Sequence, residues 1–264
     1  MCDPKYFDVI HKNLNYHMTL EKSVNKDLAI KQWTNLYTIL RNIPVEVELI
    51  NPVEELVDMV FAANGALIDN RTYTAIISNF RATPRIPESL YWTEFLENRG
   101  YKIVHMDNKF EGQGDALFSH FNKYLWCGYG FRSNDEAALE ISRILQNTVV
   151  YSLKLIRPEF YHLDTCFCIL DDDYVLYYPD AFDESSYEKI NKVFPLNKQI
   201  RVNYDNAIFF TCNAVNIGKY IIVHRIFDKQ LENTLNEMGF KIIINNMSEF
   251  LLSGGSCKCC VLHT

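Results

Sequence analysis

The chain has 264 residues, of which 48% are hydrophobic and 22% charged, a composition typical of a globular protein with a substantial core. Its 33 acidic residues outnumber the 26 basic ones and give a net charge of −7, which disfavours broad binding to nucleic acids or anionic membranes. No apolar run reaches the length of a membrane helix, and the start "MCDPKYFDV" is acidic where a signal peptide would be basic, so we expect a cytoplasmic protein.

The first long element predicted is a helix over residues 23–43, "SVNKDLAIKQWTNLYTILRNI". Its apolar residues fall on one face at helical spacing, namely Ala29, Trp33, Leu36 and Leu40. An extended segment, "VEVELI", follows over residues 45–50. No linker-like or low-complexity segment interrupts the chain, so we expect one domain over residues 1–264.

Short strand-like stretches alternate with helices along the rest of the sequence. The strand-like stretches are "MVFAANGALI", "TYTAIISNF", "KIVHM", "KYLWCGYGF", "TVVYSLKLI", "TCFCIL", "DYVLYYP", "AIFFTCNAVNIGKYIIVHRIF" and "FKIIINN". The helix-like stretches are "ESLYWTEFLENRG", "NDEAALEISRILQN", "SSYEKINKVF" and "DKQLENTLNEMG". Strand pairs alternating with single helices indicate an α/β fold of similar modules. Periodicity alone leaves two architectures open, a radial propeller and a doubly wound sheet.

Several strand-like stretches end in polar side chains that a core would not favour. These residues are Asp58, Asn64, Glu111, Asp115, Arg132, His162, Asp164 and Asn213. Each one alone has an ordinary explanation as a turn residue, a cap or a satisfied histidine. Together they place carboxylates, an imidazole and a guanidinium at strand ends, where loops on a rigid scaffold usually carry function.

The sequence has eight cysteines, which we expect to be free thiols in a reducing compartment. Three of them, Cys257, Cys259 and Cys260, lie in "SGGSCKCC". One interpretation is a zinc site that adds ligands from Cys166, Cys168 or His263. Structural zinc usually shows paired C-x₂₋₄-C spacings, whereas the spacings here are C-x-C and C-x-C-C. The alternative is a single nucleophilic thiolate, and no metal is then needed.

The set of residue types favours one chemistry. A cysteine thiolate near a histidine is an activated nucleophile with a proton donor beside it. Several carboxylates in one pocket call for a cationic substrate, and a planar guanidinium pairs with them bidentately. An arginine near the rim could hold an α-carboxylate. The set therefore predicts attack by sulfur on the central carbon of a guanidinium, as in arginine.

The same residues lie in blocks that resemble the signature motifs of the guanidino-group-modifying enzymes. The blocks are "DMVFAANGAL", "FEGQGDALF", "GYGFRSN", "FYHLDTCFC", "CNAVN" and "SEFLLSGGSCKCCVL". This superfamily includes arginine deiminase, dimethylarginine dimethylaminohydrolase and the amidinotransferases. The likeness covers nearly the whole chain and is strongest to the arginine dihydrolases, the domain found in cyanobacterial enzymes that remove the guanidine group of arginine.

The resemblance implies a five-fold pseudosymmetric α/β propeller of ββαβ modules, the pentein fold, with the active site on its axis. It also implies that Cys259 is the nucleophile, that His162 is the general acid and base, and that Glu111 binds the guanidinium and orients the histidine. Cys257 and Cys260 are expected to be packing residues, with Cys260 on the opposite side of a strand.

The resemblance extends to the substrate pocket. Asp58 and Asp164 match further carboxylates that bind the substrate. Arg85 and Arg132 match positions associated with its α-carboxylate. We expect the same pocket to include Asp115, Asn213 and, on a loop near the start of the chain, Asn15.

Asn64 distinguishes groups within the superfamily. Deiminases and dimethylarginine hydrolases usually carry an acid at this position, whereas dihydrolases resemble this chain in the pattern "VFxANxG". An amide offers both a donor and an acceptor, so it could hold the neutral ureido group of citrulline. A second round of hydrolysis would then give ornithine, ammonia and carbon dioxide.

Several alternatives remain open at this point. The enzyme could stop at citrulline as a deiminase, hydrolyse dimethylarginine, or transfer the amidino group. A different class of function is an inactive relative that only binds arginine. We expect a small-molecule substrate and no cofactor, nucleic acid or membrane partner, and the sequence is compatible with a homo-oligomer.

Overall fold

The computed structural model describes residues 1–11, 14–19 and 23–264. Its first long element is helix α1 (Lys26–Arg41), which lies inside the range predicted for it. The Asn25 side chain begins the helix by accepting a hydrogen bond from the Leu28 amide at 3.1 Å. The four apolar residues predicted to share one face are all buried, which fixes the helix against the body of the protein.

Four modules with the same strand–strand–helix–strand order follow α1. The first consists of β1 (Ala66–Asp69), β2 (Thr74–Ile77), α2 (Glu88–Glu97) and β3 (Lys102–His105). After the short helix α3 (Gly112–Asp115), the second consists of β4 (Ala116–Ser119), β5 (Tyr124–Tyr129), α4 (Asp135–Ile144) and β6 (Val149–Lys154). The third consists of β7 (Phe167–Leu170), β8 (Tyr174–Tyr177), α5 (Glu184–Val193) and β9 (Gln199–Arg201). After α6 (Tyr204–Ile208), the fourth consists of β10 (Val215–Ile217), β11 (Tyr220–Val223), α7 (Lys229–Glu237) and β12 (Lys241–Ile244), followed by the short helix α8 (Ser248–Leu251).

Each module forms its own three-stranded sheet. The first two strands are antiparallel and the third is parallel to the second, with Ala66 opposite Ile77 and Thr74 opposite Lys102 in the first module. The same pairing recurs in the orders β4-β5-β6, β7-β8-β9 and β10-β11-β12. Because the sheets are separate, the doubly wound alternative is wrong, and the propeller of ββαβ modules implied by the resemblance is confirmed.

The remaining sector of the propeller combines segments from both ends of the chain. Ile50 pairs in parallel with Cys2, and the Ile50 amide donates to the Met1 carbonyl at 3.0 Å. Among the described residues, residues 45–50 pair with another strand only through this bridge at Ile50. The extended segment predicted there is therefore not a regular strand. The prolines that flank the segment, Pro44 and Pro52, lack the amide donors that a longer ladder would need.

Short turns lead into the modules near the centre of the propeller. Two single 3-10 turns, Val57–Val60 and Ala62–Gly65, precede β1, and another, Leu163–Thr165, precedes β7. The strands predicted over "MVFAAN" and over "AIFFTC" are therefore wrong, because these residues belong to turns and to the end of α6. Backbone hydrogen bonds close these turns, with the Phe61 amide donating to the Asp58 carbonyl at 3.0 Å and the Asn64 amide to the Phe61 carbonyl at 3.1 Å. The turns bring the polar residues singled out in the sequence together.

Aromatic side chains fill the space between neighbouring modules. Trp126 on β5 is fully buried, and its ring stacks on Tyr151 at 5.0 Å and on Phe194 at 5.4 Å between ring centroids. Because Tyr151 belongs to the second module and Phe194 to the third, this contact holds two sheets in a fixed relation. Within the described parts of the chain, none of the helices has both the length and the apolar character to cross a bilayer.

Candidate active site

Cys259 lies in a turn that follows the paired glycines of "SGGSCKCC", and only 2% of its surface is exposed. Its Sγ accepts a hydrogen bond from Asn213 Nδ2 at 3.1 Å and donates one to Asp164 Oδ2 at 3.4 Å. The Cys259 amide donates to Asn213 Oδ1 at 3.2 Å. Asn213 therefore holds both the backbone and the sulfur of Cys259, and the structure brings these three predicted site residues together.

The two neighbouring thiols point elsewhere. The prediction that Cys260 lies on a strand is wrong, because the Cys260 amide donates to the Cys257 carbonyl at 3.3 Å and closes a turn. Both side chains are fully buried in an apolar cluster that includes Met247 and Phe250. Their surroundings are those of packing residues.

His162 and Glu111 form a fully buried pair in which Nε2 of the imidazole lies 2.8 Å from Glu111 Oε2. The other ring nitrogen, Nδ1, is buried and has no hydrogen-bond partner among the described residues. Glu111 also pairs with Arg132, whose Nη1 donates to Oε2 at 2.9 Å. Burial alone would raise the pKa of Glu111, but the Arg132 guanidinium and then His162 hold this pKa well below its usual range. Glu111 is therefore an anion near neutral pH, and it holds the imidazole through Nε2.

Asp115 packs against the same imidazole. Its Oδ2 lies 3.9 Å from Nε2 of His162 and accepts a hydrogen bond from Ser133 Oγ at 2.6 Å, while its Oδ1 accepts one from the Leu163 amide at 3.0 Å. Burial raises the pKa of Asp115 to about 6, although His162 opposes this shift. Both oxygens thus already bond to protein groups, so the contacts of Asp115 hold the loop that carries His162.

Asp164 combines a contact to the thiol with a free oxygen. While Oδ2 accepts from Cys259, Oδ1 is buried without a partner among the described residues. Burial raises the pKa of Asp164, although His162 and Lys258 pull it down. Burial, followed by the negative charge of Asp164, raises the pKa of Cys259 well above its usual range. Ionisation of this thiol therefore requires additional positive charge close by.

Asn64 has a fixed amide orientation because of Arg85. Arg85 Nη1 donates to Asn64 Oδ1 at 2.8 Å, and since a guanidinium only donates, the amide must turn its oxygen toward Arg85 and its NH₂ group away. Nδ2 of Asn64 is buried without a partner in the described chain. Arg85 is itself held by a bidentate ion pair with Glu88, with N–O distances of 2.7 and 2.8 Å.

The two arginines predicted to bind an α-carboxylate are both interior residues. Arg85 is 5% and Arg132 is 6% exposed, and their guanidinium groups pair with Glu88 and Glu111. Neither therefore lies at a rim. A role of these residues toward a substrate carboxylate stays a prediction.

The loop that carries Asn15 is anchored beside Asp58. Asn15 Nδ2 donates to the Ser253 carbonyl at 2.9 Å, and Ser253 Oγ donates to Asp58 Oδ1 at 3.1 Å. Arg132 Nη2 donates to the Leu14 carbonyl at 2.8 Å. Burial raises the pKa of Asp58. The described part of this loop is thus tied both to the turn before the reactive cysteine and to the buried arginine.

Four polar atoms of this region are buried without a hydrogen-bond partner among the described residues. They are Asn64 Nδ2, His162 Nδ1, Asp164 Oδ1 and Ser256 Oγ. Buried polar groups in folded proteins are nearly always satisfied, so a set of this kind indicates a ligand site. A carboxylate oxygen, an imidazole nitrogen and an amide donor suit a small planar group rich in nitrogen.

Sequence reasoning missed three residues of the site. Glu88 could have been found from its position three residues after Arg85, a spacing that allows an ion pair on one turn of helix. Ser133, which donates to Asp115, follows directly after an arginine in "FRSN". Lys258 precedes Cys259, and no local pattern signals that its side chain is buried.

All eight cysteines are unpaired and buried, in agreement with the expectation of free thiols. Across residues 1–11, 14–19 and 23–264, no group of three or more His, Cys, Asp or Glu side chains is arranged to hold a metal ion. The contacts of Cys259 are therefore those of a thiol in a polar pocket, and the zinc interpretation gains no support.

Comparison with known proteins gives a consistent result. A family model of eukaryotic N,N-dimethylarginine dimethylhydrolases matches residues 4–264. Over its full length the chain is 38% identical to ArgZ, the bifunctional arginine dihydrolase/ornithine cyclodeaminase of Synechocystis, and it spans 37% of that protein. It is 35% identical to the N(G),N(G)-dimethylarginine dimethylaminohydrolase of Mycobacterium tuberculosis and covers 84% of it. The crystal structure of the N-terminal domain of cyanobacterial ArgZ bound to substrate matches with a TM-score of 0.94 at 37% identity, over 99% of this chain and 96% of that chain.

The repeated ββαβ sheets and the buried cysteine, histidine and carboxylates define a pentein-fold protein of the guanidino-group-modifying superfamily. Within this superfamily, the chain belongs to the dimethylarginine dimethylaminohydrolase family.

Proposed function

We propose that the chain hydrolyses the guanidinium group of arginine through a covalent bond to Cys259, and that it is an arginine dihydrolase that forms ornithine, two molecules of ammonia and carbon dioxide. Residues 1–264 act as one catalytic domain in this proposal. The observation that carries it is the orientation of Asn64, which presents an unpartnered N–H donor in the site.

The first half of the reaction uses the cysteine and the imidazole. The guanidinium binds among the carboxylates and supplies the positive charge that lets Cys259 ionise. The thiolate adds to the guanidinium carbon, and His162 protonates the departing ammonia from Nδ1, since Nε2 is engaged by Glu111. An amidino-thioether remains. Water, deprotonated by His162, attacks this carbon and expels the thiolate, which gives citrulline; acid–base help of this kind is typically worth ~100- to 10,000-fold.

Asn64 is suited to the second half of the reaction. A guanidinium carries only donors, so it leaves the Asn64 N–H unsatisfied, whereas the carbonyl oxygen of a ureido group accepts from it. A carboxylate at the same position would repel that oxygen. Arg85 fixes the amide with its donor group away from the arginine, and Glu88 holds Arg85 in place.

The second cycle repeats the same steps on citrulline. Cys259 attacks the ureido carbon, His162 again protonates ammonia as it leaves, and a thiocarbamate remains. Water hydrolyses this intermediate to a carbamate, which loses carbon dioxide and leaves ornithine. Arginine and two molecules of water are thereby converted to ornithine, two molecules of ammonia and carbon dioxide.

Two findings on one relative, ArgZ, support this assignment. ArgZ is an arginine dihydrolase in its N-terminal part, and it shares 38% identity with this chain. A variant of the ArgZ N-terminal domain has been crystallised covalently bound to a reaction intermediate. Both facts describe ArgZ, and their transfer to this chain rests on the matching fold and on the contacts of Cys259 and His162.

Product analysis tests the proposal. The purified chain is incubated with arginine, and citrulline, ornithine and ammonia are quantified over time; we expect ornithine and a 2:1 ratio of ammonia to ornithine at completion. Citrulline as the sole end product would identify a deiminase instead. Parallel reactions with dimethylarginine, or with arginine plus glycine as acceptor, identify a dimethylarginine hydrolase or an amidinotransferase. Binding of arginine without formation of any product would indicate that the chain is an inactive relative that only binds arginine.

Asn64→Asp is expected to convert the end product from ornithine to citrulline. The new carboxylate pairs with Arg85 but can no longer donate to a ureido oxygen, so hydrolysis of citrulline should fall by about 100-fold or more, while the arginine step falls far less. The ratio of ornithine to citrulline measures this change. Asn70→Asp, the same substitution at an exposed turn residue, serves as the matched control and should leave the ratio unaltered. Unchanged ornithine formation by the Asn64 variant would contradict the role given to this amide.

Gly114→Ala is expected to lower the rate of ammonia release by about 100-fold, a loss typical of misplacing a reactive group by about 1 Å. The added methyl group would lie 2.1 Å from Asn64 Nδ2, so the Asn64 amide must move, and it would also contact Cγ of His162 at 3.4 Å. Steady-state kinetics with circular dichroism as a folding check measure the effect. Gly218→Ala is the control, because its methyl group meets no atom within 4 Å and it lies on a distant hairpin. A side chain at its φ of +53° should lower stability slightly and leave the rate unchanged. A Gly114 variant with full activity would show that this contact is unimportant.

A further inference from the structure

Lys258 is a buried cation that the proposed reaction does not use. Only 6% of its surface is exposed, and it precedes Cys259 in the same turn. Its Nζ donates to Gln113 Oε1 at 3.2 Å and to the Val261 carbonyl at 3.1 Å, both of which are neutral acceptors. In the described structure, no carboxylate forms an ion pair with it. Lysine is rarely buried without such a pair, so its position calls for an explanation.

The other buried cations of the site are neutralised by direct partners. Arg85 pairs with Glu88, and Arg132 pairs with Glu111, each at 2.9 Å or less. Among the buried lysine and arginine side chains of the site that the structure describes, Lys258 is therefore the one with no carboxylate in contact with its charge.

The side chain of Lys258 reaches a cavity on the hairpin side of the propeller, away from the contacts of Cys259 with Asp164 and Asn213. This cavity has a volume of about 430 Å³ and is lined by residues that include Gln113, Phe118, Asn122, Asp171, Asn216 and Lys258. Solvent in this cavity can hydrate the ammonium from one side, which makes a charged lysine tolerable at this depth.

The anionic groups of the site, Asp164 and the ionised Cys259, lie on the side of the turn opposite to this cavity. Asp164 Oδ2 is 3.4 Å from the sulfur of Cys259, so ionisation of the thiol would place two anions in contact. Burial lowers the pKa of Lys258, and the attraction of its ammonium to Asp164 and then to Cys259 opposes that shift. The same attraction lowers the pKa of Asp164 against the effect of burial. An ammonium within several ångströms of a buried anion stabilises it strongly, because the interior screens charge weakly.

We propose that Lys258 is a positioning residue whose ammonium, held behind the reactive turn by Gln113, stabilises the negative charge that Cys259 and Asp164 share when the thiolate forms. The inference rests on the proposed function, in which Cys259 is the nucleophile. It extends that function by assigning part of the thiolate stabilisation to the chain itself rather than to the guanidinium of the substrate.

The remaining buried groups near Lys258 and Cys259 are neutral, apart from His162, which also attracts the charge of Asp164. Burial raises the pKa of Tyr161 and of Cys260 well above their usual ranges, and it raises the pKa of Cys168 to about 12. All three are therefore uncharged near neutral pH. Burial and then the charge of Lys258 lower the pKa of His263 to about 3, so this imidazole is neutral as well.

Alkylation of Cys259 by iodoacetamide without substrate tests the inference. The rate is measured from pH 6 to 11 for the full chain, and the modified peptide is identified by mass spectrometry with Cys259→Ser as the blank. Below the midpoint, the rate at a given pH falls about 10-fold for each unit by which the midpoint rises, so a midpoint beyond the scanned range is still compared between variants. For Lys258→Met we expect the pH midpoint to rise by roughly one to two units, and for Lys258→Arg to stay near that of the parent. Lys192→Met, at an exposed position on α5, is the matched control and should show the parent midpoint.

Gln113→Glu provides an independent variant in case Lys258→Met does not fold. Its carboxylate would take the place of Gln113 Oε1 beside Nζ and neutralise the ammonium, so the midpoint should rise in the same direction. In turnover of arginine, both variants should lose about 10-fold or more in kcat with a much smaller change in KM.

Parent midpoints in both Lys258→Met and Gln113→Glu would overturn the inference. An equal rise in Lys258→Arg and Lys258→Met would also overturn it, since the effect would then come from packing rather than charge. Because alkylation needs no turnover, a shifted midpoint in a chain that releases no ammonia supports the role of Lys258 while refuting the proposed reaction.

Discussion

Replacing Cys259 by serine is expected to abolish turnover of arginine, with a loss on the order of 10⁴-fold or more in the rate of ammonia release. A hydroxyl at this position remains protonated beside Asp164, so no nucleophile forms at neutral pH. Stability should change little, because the serine keeps the position of the hydrogen-bonded side chain. Rapid-quench assays of the first turnover measure the effect, and mass spectrometry should detect the covalent adduct in the parent only.

Cys260→Ala is the matched control for this experiment. Cys260 is the adjacent thiol, is equally buried and packs in an apolar cluster, so its truncation should cost about 1 kcal/mol of stability and leave the chemistry intact. Activity in Cys259→Ser, or its loss in Cys260→Ala alone, would show that the nucleophile has been assigned to the wrong sulfur.

Glu111→Gln is expected to lower both activity and stability. The carboxylate is fully buried and contacts Arg132 and His162 at 2.9 and 2.8 Å, so its neutralisation leaves a buried guanidinium without its counter-charge. Loss of one partner of a buried pair typically costs about 3–5 kcal/mol. The rate should fall by roughly 1,000-fold, because the imidazole loses the carboxylate that orients it. Urea denaturation and steady-state kinetics measure the two effects.

The pH dependence of this stability difference follows from the pKa of Glu111. Arg132 and His162 hold that pKa, against burial, well below its ordinary value of 4.5, so the stabilisation is complete above about pH 4.5 and is lost as the pH falls through the folded-state value. The difference in unfolding free energy between parent and Glu111→Gln should therefore be largest near neutral pH and shrink on acidification below pH 4.5.

Glu232→Gln is the control for charge removal without burial. The pair of Glu232 with Lys229 is exposed, with 37% and 74% of the two side chains accessible, so its loss should cost less than about 1 kcal/mol at any pH. A Glu111 variant that is as stable as the Glu232 variant would contradict the importance given to the buried network.

Local signals explain what could be predicted of the fold. Helix α1 was predictable because its buried residues recur at helical spacing and Asn25 provides a cap. The separate sheets were not predictable from periodicity, because the pairing of β2 with β3 joins residues that are far apart in sequence. Short strands of three to six residues also look alike whether they lie in four sheets or in one.

Some residues of the candidate site could also be predicted from local signals, and others could not. Residues within quoted motifs, such as His162 and Asp164, could be proposed because strand ends that carry polar groups are informative. The interior position of Arg85 could not be predicted, because it depends on contacts with Glu88 and Asn64 that form only in the folded chain. The unpartnered N–H of Asn64 could not be predicted either, because it results from the hydrogen bond between Arg85 and the amide oxygen.

The turns that lead into the strand pairs have a broader consequence. Asn64, Gly114 and Asn213 each stand two residues before the first strand of their module, and at Gly114 the absence of a side chain makes room for Asn64. The repeated modules thus place equivalent residue positions around one axis, and each position is supported by its own hairpin. A substitution at one of these positions can change the reaction while the other hairpins keep their geometry. A scaffold of this kind can therefore acquire new reactions through single substitutions.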